Sequence, residues 1–170
     1  MLGTKFLFEY LMQVERNDLI YLMVNQKTYP GWGYMIEQGA TTVWEQWNGD
    51  NSQVHNCYLA GGAWFIRGLG GIRPDENHPG MKNFILEPAI IEDLDYSNIS
   101  YKSLYGQISC NWKRVGKRIQ LEIVIPCNTS ALFKVKNFNY RKIILNGTKA
   151  QADETGRLVL LSGRHLISLK

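Results

Sequence analysis

The chain has 170 residues, 45% of them apolar and 20% charged, with a net charge of +4. That length allows one ordinary domain, or a small domain joined to part of another, with enough apolar material for a sizeable core. It contains no apolar run of the roughly eighteen residues that a membrane helix needs, so no membrane span is expected.

Two further classes are disfavoured by residue pattern. The three cysteines, Cys57, Cys110 and Cys127, lack metal-ligand spacing, and an odd number argues against a disulfide framework. Cys110 and Cys127 are expected to be buried free thiols. Charge is uneven: up to Asp75 there are five basic and seven acidic residues, and beyond it fourteen and eight. Lys113-Arg114 and Lys117-Arg118 flank Gly116, so they read as the solvated tip of a hairpin and not as a nucleic-acid patch. Residues 1–13 carry one Lys, but Glu9 interrupts the apolar run and no small-residue cleavage site follows. A signal peptide is therefore not expected, and the compartment stays open.

Helical spacing opens the chain. Phe6, Leu7, Tyr10, Leu11 and Val14 form one apolar stripe, and Leu19, Tyr21, Leu22, Met23 and Val24 form a second after Asn17-Asp18. Asn17 or Asp18 is a suitable N-cap, so two antiparallel helices are predicted over 4–25. Tyr29-Pro30-Gly31-Trp32-Gly33 breaks this pattern. A short helix over Tyr34–Gln38 follows, with Gly39 at its C′ position. Asn48 to Ser52 reads as a polar loop. His55 to about Leu69, apolar on nearly all faces with small residues at 60–63, predicts a helix buried among others, with His55 at its start.

Beyond Arg73-Pro74 the period changes to two. Candidate strands are 83–87, 98–102, 107–113, 118–125, 131–136, 142–145 and 166–169. Val115-Gly116-Lys117 and Asn146-Gly147 supply turns. Leu121, Ile123 and Ile125 alternate with Gln120, Glu122 and Val124, as in a half-buried strand. Short strands with regular turns predict an antiparallel β-sandwich. The expected organisation is thus α+β in two segments, helical over 1–75 and β over 76–170.

The most chemically suggestive run is Val43-Trp44-Glu45-Gln46-Trp47, with His55 and Cys57 following. Indoles offer flat apolar surfaces for sugar faces, and a carboxylate between them can manage protons or water. Trp32 is a further candidate wall. Glu37 reads as structural or as a supporting carboxylate, and Asp50 and Asp75 as surface or capping residues. His55, His78 and His165 share no spacing with acids or thiols that suits a metal, and the glycines at 61–62 and 68–71 lack the context of a phosphate loop, so no cofactor is expected.

Thr28 to Glu45, with His55-Asn56-Cys57-Tyr58, Pro79 to Phe84, Tyr105-Gly106, Trp112 and Ile125 to Thr129, resembles the bacterial α-L-rhamnosidases of glycoside hydrolase family 78. The resemblance implies the last helices of an (α/α)6 toroid followed by a C-terminal β-sandwich. It also implies inverting hydrolysis of terminal α-L-rhamnosyl linkages in a glycoside or oligosaccharide, with Glu45 at the general-base position. Trp44, Trp47, His55, Trp32 and Cys57 are then substrate-binding candidates, although Cys57 stands where family members often carry an imidazole. The family's general acid lies in an earlier acidic motif that this chain does not contain. The isolated chain is accordingly expected to be inactive, to associate with itself through unpaired helix faces, and to pair with an N-terminal portion if one exists. A non-catalytic carbohydrate-binding or interaction module is the competing reading.

Overall fold

The computed structural model describes residues 3–55, 59–136 and 138–170. The chain divides into two compact units, residues 1–64 and 65–170.

The first unit is built from short helices: α1 (Thr4–Gln13), α2 (Asn17–Val24), α3 (Trp32–Glu37) and α4 (Ala60–Trp64). Helices this short are marginal alone, so packing must hold them. Phe8, Leu11 and Met12 of α1 are buried together with Ile20 of α2, Met35 of α3 and Trp64 of α4. The i, i+3, i+4 set that α1 buries is not the expected stripe. Phe6, Tyr10 and Val14 face solvent, Phe6 at 75% exposure, and in α2 the buried anchor is Ile20. α1 is apolar on two sides, and periodicity alone cannot say which side meets the core.

The expected N-cap of α2 is also corrected. Asn17 is the first helical residue and is buried, and its Oδ1 accepts the Trp64 indole N–H at 2.9 Å. Burying a polar side chain is costly unless it is paired, and this bond supplies the pairing. Asp18 instead receives Arg16, Nε to Oδ1 at 2.9 Å. α3 begins where Gly31 and Gly33 crowd the Gln26 carbonyl; a Cβ on Gly33 would lie 2.6 Å from that oxygen. The approach lets the Tyr34 N–H donate to Gln26 O at 2.8 Å. Gly39 follows α3 with φ +86°, as a C′ glycine should.

The second unit starts with a π-helical turn, Phe65–Leu69, closed by the Gly70 N–H on Phe65 O at 2.9 Å. Among the described residues of the expected 55–69 helix, helical structure covers 60–69, and His55 and Leu59 lie outside it. Leu59, Ala63 and Phe65 are exposed, so it is not apolar-buried all round.

Eight strands follow: β1 (Ile72–Pro74), β2 (Asn83–Leu86), β3 (Tyr96–Ser103), β4 (Gly106–Val115), β5 (Arg118–Phe133), β6 (Ile143–Leu145), β7 (Thr148–Ala150) and β8 (Leu158–Leu169). They pair in the order β1-β2-β5-β8-β6-β7, and β4 joins β5 on one edge and β3 on the other. Hydrogen bonding thus links all eight strands into one branched sheet, in keeping with the expected helical segment followed by a β-sandwich. The strands foreseen at 118–125 and 131–136 are one strand, β5, with a register irregularity between Ile125 and Ser130. Either side of it β5 changes one neighbour, β4 before and β2 after, while β8 accompanies both halves. The β2–β5 pairing is parallel, an exception to the antiparallel expectation. β1 and β7, three residues each, carried too little pattern to foresee.

The alternation in β5 is as read: Ile119, Leu121, Ile123 and Ile125 are buried, and Gln120 is exposed. Gly116-Lys117 and Asn146-Gly147 both close two-residue hairpins, the latter with φ +50° and +85°. Cys110 is buried, and that burial pushes its thiol up to about 12. Cys127 is exposed, contrary to expectation, because it sits in the irregular stretch of β5.

Candidate functional site

Glu45 and His55 belong to two chain segments held against each other by backbone hydrogen bonds. The Glu45 N–H donates to Ser52 O at 2.8 Å and the His55 N–H to Val43 O at 2.7 Å. The Thr42 hydroxyl donates to Gln53 O, tightening the same pair. His55 is therefore not itself helical; its backbone is tied to Val43. The intervening Asn48-Gly49-Asp50-Asn51 is a turn, with Gly49 and Asn51 at φ +83° and +60°. Such an Asn-Gly sequence is a hairpin signal, and reading it that way would have paired 43–45 with 52–55 in advance.

This pairing sets the carboxylate. Oε2 of Glu45 accepts the Ser52 backbone N–H at 3.2 Å and stands 3.8 Å from Nδ1 of His55. Oε1 has no hydrogen-bond partner among the described residues, and the side chain is 35% exposed. One oxygen is thus anchored to the backbone while the other is open to a water molecule or ligand. Ser52 is the positioning residue that sequence reasoning missed. It contributes only its backbone, which leaves no trace in residue type.

The three indoles separate into two roles. Trp44 is buried, its ring lying against Gly49, so it is a packing residue. Trp32 and Trp47 meet edge-to-face at 5.3 Å, and Phe8 meets Trp32 at 5.6 Å. Trp32 and Trp47, with Gln26, Pro30 and Gly31, line a groove of about 370 Å³. Of the three indoles named as substrate-binding candidates, Trp32 and Trp47 thus line a groove and Trp44 lies in the core. Cys57 lies outside the described residues.

The remaining acids of this unit with defined partners are engaged elsewhere. Glu37 is exposed and pairs with Lys27 at 3.1 Å, and Asp50 accepts from Asn48 Nδ2 at 2.6 Å. Asp75, in the second unit, takes His78 Nδ1 at 2.9 Å and the Asn77 N–H at 3.0 Å, a turn-capping role. His78 chiefly, with Asn77, holds the Asp75 carboxyl below its ordinary value.

Among the described residues the most heavily charged buried cluster is in the sheet unit, and it was not foreseen. Glu87 is 3% exposed, with Arg157 Nη2 at 2.9 Å from Oε1, Lys136 Nζ at 3.4 Å from Oε2, and Arg73 bonded to Oε2. Burial alone would raise this carboxyl. The Arg157 hydrogen bond and the charges of Lys136 and Arg73 outweigh burial and hold it below its ordinary value. A saturated carboxylate cannot accept a proton readily, so Glu87 is a structural clamp. Among the described residues no three His, Cys, Asp or Glu side chains gather as metal ligands.

A carboxylate with one free oxygen, in a helical unit whose groove is walled by paired indoles, is the equipment of a carbohydrate-active protein. Comparison with known proteins gives the family. Residues 1–69 match the model of the bacterial alpha-L-rhamnosidase 6 hairpin glycosidase domain, and residues 71–147 match that of the bacterial alpha-L-rhamnosidase C-terminal domain. The chain belongs to the bacterial α-L-rhamnosidase family.

Among relatives, an α-L-rhamnosidase of Alteromonas sp. (strain LOR) is 34% identical over 143 residues, 78% of this chain and 15% of the relative. One from Formosa agariphila is 33% identical over 149 residues, 81% and 16% respectively. The solved α-L-rhamnosidase of Dictyoglumus thermophilum superposes with a TM-score of 0.85 at 28% identity, covering 99% of this chain and 20% of that one. The Streptomyces avermitilis α-L-rhamnosidase complexed with L-rhamnose gives 0.82 at 27%, covering 99% and 17%. The chain thus spans about one sixth to one fifth of the length of these relatives.

Proposed function

We propose that this chain carries the water-activating half of an inverting α-L-rhamnosidase site, with Glu45 as general base. In inversion one carboxylic acid protonates the departing oxygen while a carboxylate draws a proton from water on the opposite face of the sugar. The observation that carries the proposal is the asymmetric anchoring of Glu45. Oε2 is fixed by the Ser52 N–H, and Oε1 is free to take a proton from water.

In this reading His55, with Nδ1 3.8 Å from Oε2, orients the carboxylate or a sugar hydroxyl. Trp32 and Trp47 offer apolar faces beside the reacting sugar, Cys57 is a further contact, and Trp44 supports the segment from within. The substrate is a terminal α-L-rhamnoside in an oligosaccharide or glycoside. The proton donor belongs to a part of the six-hairpin domain outside these 170 residues. Domain limits near residue 75, helical before and sandwich after, complete the proposal.

The 170-residue chain alone should therefore not hydrolyse 4-nitrophenyl α-L-rhamnopyranoside, since loss of general-acid assistance alone costs about 10²–10⁴-fold. Release of 4-nitrophenol by the purified chain, abolished in Glu45→Gln, would show that both roles reside here and overturn the half-site reading.

A further inference from the structure

One face of the sheet unit presents a polar depression that the rhamnosidase reading does not use. Register sets Asn98, Asn111, Glu122 and Leu166 side by side across β3, β4, β5 and β8. The adjacent row is Tyr96, Lys113, Gln120 and Ser168. Their sequence neighbours Ser97, Trp112, Leu121 and Ile167 are buried on the opposite face. These two outward rows, Ser168 apart, border a depression of about 410 Å³.

Its chemistry is specific. The amides of Asn98, Asn111 and Gln120 and the hydroxyl of Tyr96 make no hydrogen bonds to other described residues. Each amide offers a carbonyl acceptor and two N–H donors, a set that suits adjacent hydroxyl groups. Tyr96, 65% exposed, supplies a flat apolar face at one end, and Leu166 an aliphatic one across the sheet. Glu122 is neutralised by Arg164 at 3.0 Å, which among the described residues leaves Lys113 as the one lining cation without an opposing charge.

That composition excludes the main alternatives. A nucleic-acid or polyanion surface needs several uncompensated cations, and here there is one. Strand addition would use the outer edge of β3, which pairs only with β4, whereas the depression lies on the face of the sheet over β3, β4 and β5. The four strands span about 14 Å at the usual inter-strand spacing, long enough for a short oligosaccharide.

We propose that this face binds a neutral oligosaccharide, independently of Glu45. The ligand lies across β3, β4 and β5 with a ring on Tyr96 and its hydroxyls on Asn98, Asn111 and Gln120. Such a site would hold a glycan chain near the hydrolase without cleaving it.

The test is a titration of the ¹⁵N-labelled 170-residue chain with a rhamnose-terminated trisaccharide, with cellotriose and maltotriose in parallel. At least one trisaccharide should shift the backbone amides of residues 96–98, 111–113 and 120–122. Tyr96→Ala should weaken binding about fivefold, the loss of one aromatic contact. Gln120→Ala, at an exposed position, should also weaken it, with unchanged circular dichroism. Glu45→Gln should leave it as it was. No shift with any trisaccharide, shifts confined to residues 26–55, or binding indifferent to both Tyr96→Ala and Gln120→Ala would overturn the proposal. So would shifts of these amides with heparin and with none of the sugars.

Discussion

The two units use apolar residues very differently. Among the described residues the helical unit buries seven hydrophobic side chains and exposes nine large ones, whereas the sheet unit buries twenty-one and exposes nine. The sheet unit carries a core adequate to its size. The helical unit does not, and its exposed residues are concentrated: Phe6, Leu7, Tyr10 and Val14 all lie on or directly after α1. What the contrast teaches is that the candidate catalytic residue sits in the less self-sufficient half. A site that depends on neighbours for enclosure is consistent with half of an active centre.

This contrast can be broken most forcefully through the Glu87 clamp. Glu87→Gln leaves Arg73, Lys136 and Arg157 around a neutral amide, and removing one member of a buried ion cluster costs about 3–5 kcal/mol. Chemical denaturation should show that loss in the sheet transition only. The same carboxylate makes the sheet acid-sensitive. Its folded pKa lies below its unfolded value, so its stabilisation is complete above the ordinary carboxylate range and is lost as pH falls through the depressed value. Glu87→Gln should flatten that slope. A residual slope should remain from Asp75 and Asp153, the latter lowered first by the Arg157 N–H.

Gly71→Ala should come next. Gly71 has φ +66°, and a Cβ there would lie 2.0 Å from the Glu87 carbonyl carbon. The left-handed conformation and the forced displacement together should cost about 3 kcal/mol, again in the sheet transition.

In the helical unit, Asn17→Ala removes the carbonyl that accepts the Trp64 indole N–H and should cost about 1–3 kcal/mol, read from faster amide exchange across residues 4–37. If the helical unit is as under-buried as its side chains indicate, its amides already exchange well before those of β4 and β5 in the unmodified chain. Equal protection in the two units would remove the basis of the comparison.

The mildest effect concerns association. We expect the α1 face to draw copies of the chain together at high concentration, because exposed apolar patches of more than a few hundred Å² promote contact. Sedimentation should show oligomers that Phe6→Glu with Tyr10→Glu disperses. A monomer at all concentrations would mean that this face is tolerated in water.

Legibility in the sequence followed physical cause. Strands that alternate, such as β5, and turns with obligatory chemistry, such as Asn146-Gly147, were readable because one residue type serves one geometry. The inward face of α1 was not, because Phe6 and Phe8 are equally apolar and only the partner decides between them. For the candidate site, the pattern of residues placed Glu45 among aromatics, but separating buried Trp44 from groove-lining Trp32 and Trp47 required the fold. The Ser52 N–H and the Glu87 clamp were invisible for a shared reason. A backbone donor has no side-chain signature, and Arg73, Lys136 and Arg157 are far apart in the chain until the sheet brings them together.

The central claim is that Glu45 acts as the general base, and a chimaera tests it most directly. Residues 1–170 would replace the matching segment of the Alteromonas α-L-rhamnosidase, and kcat on 4-nitrophenyl α-L-rhamnopyranoside would be measured with Glu45 intact, Glu45→Gln and the exposed control Glu37→Gln. The account predicts activity in the first and third, and a fall of about 10²–10⁴-fold in kcat for Glu45→Gln, the usual worth of a general base. Undiminished kcat in Glu45→Gln would contradict it.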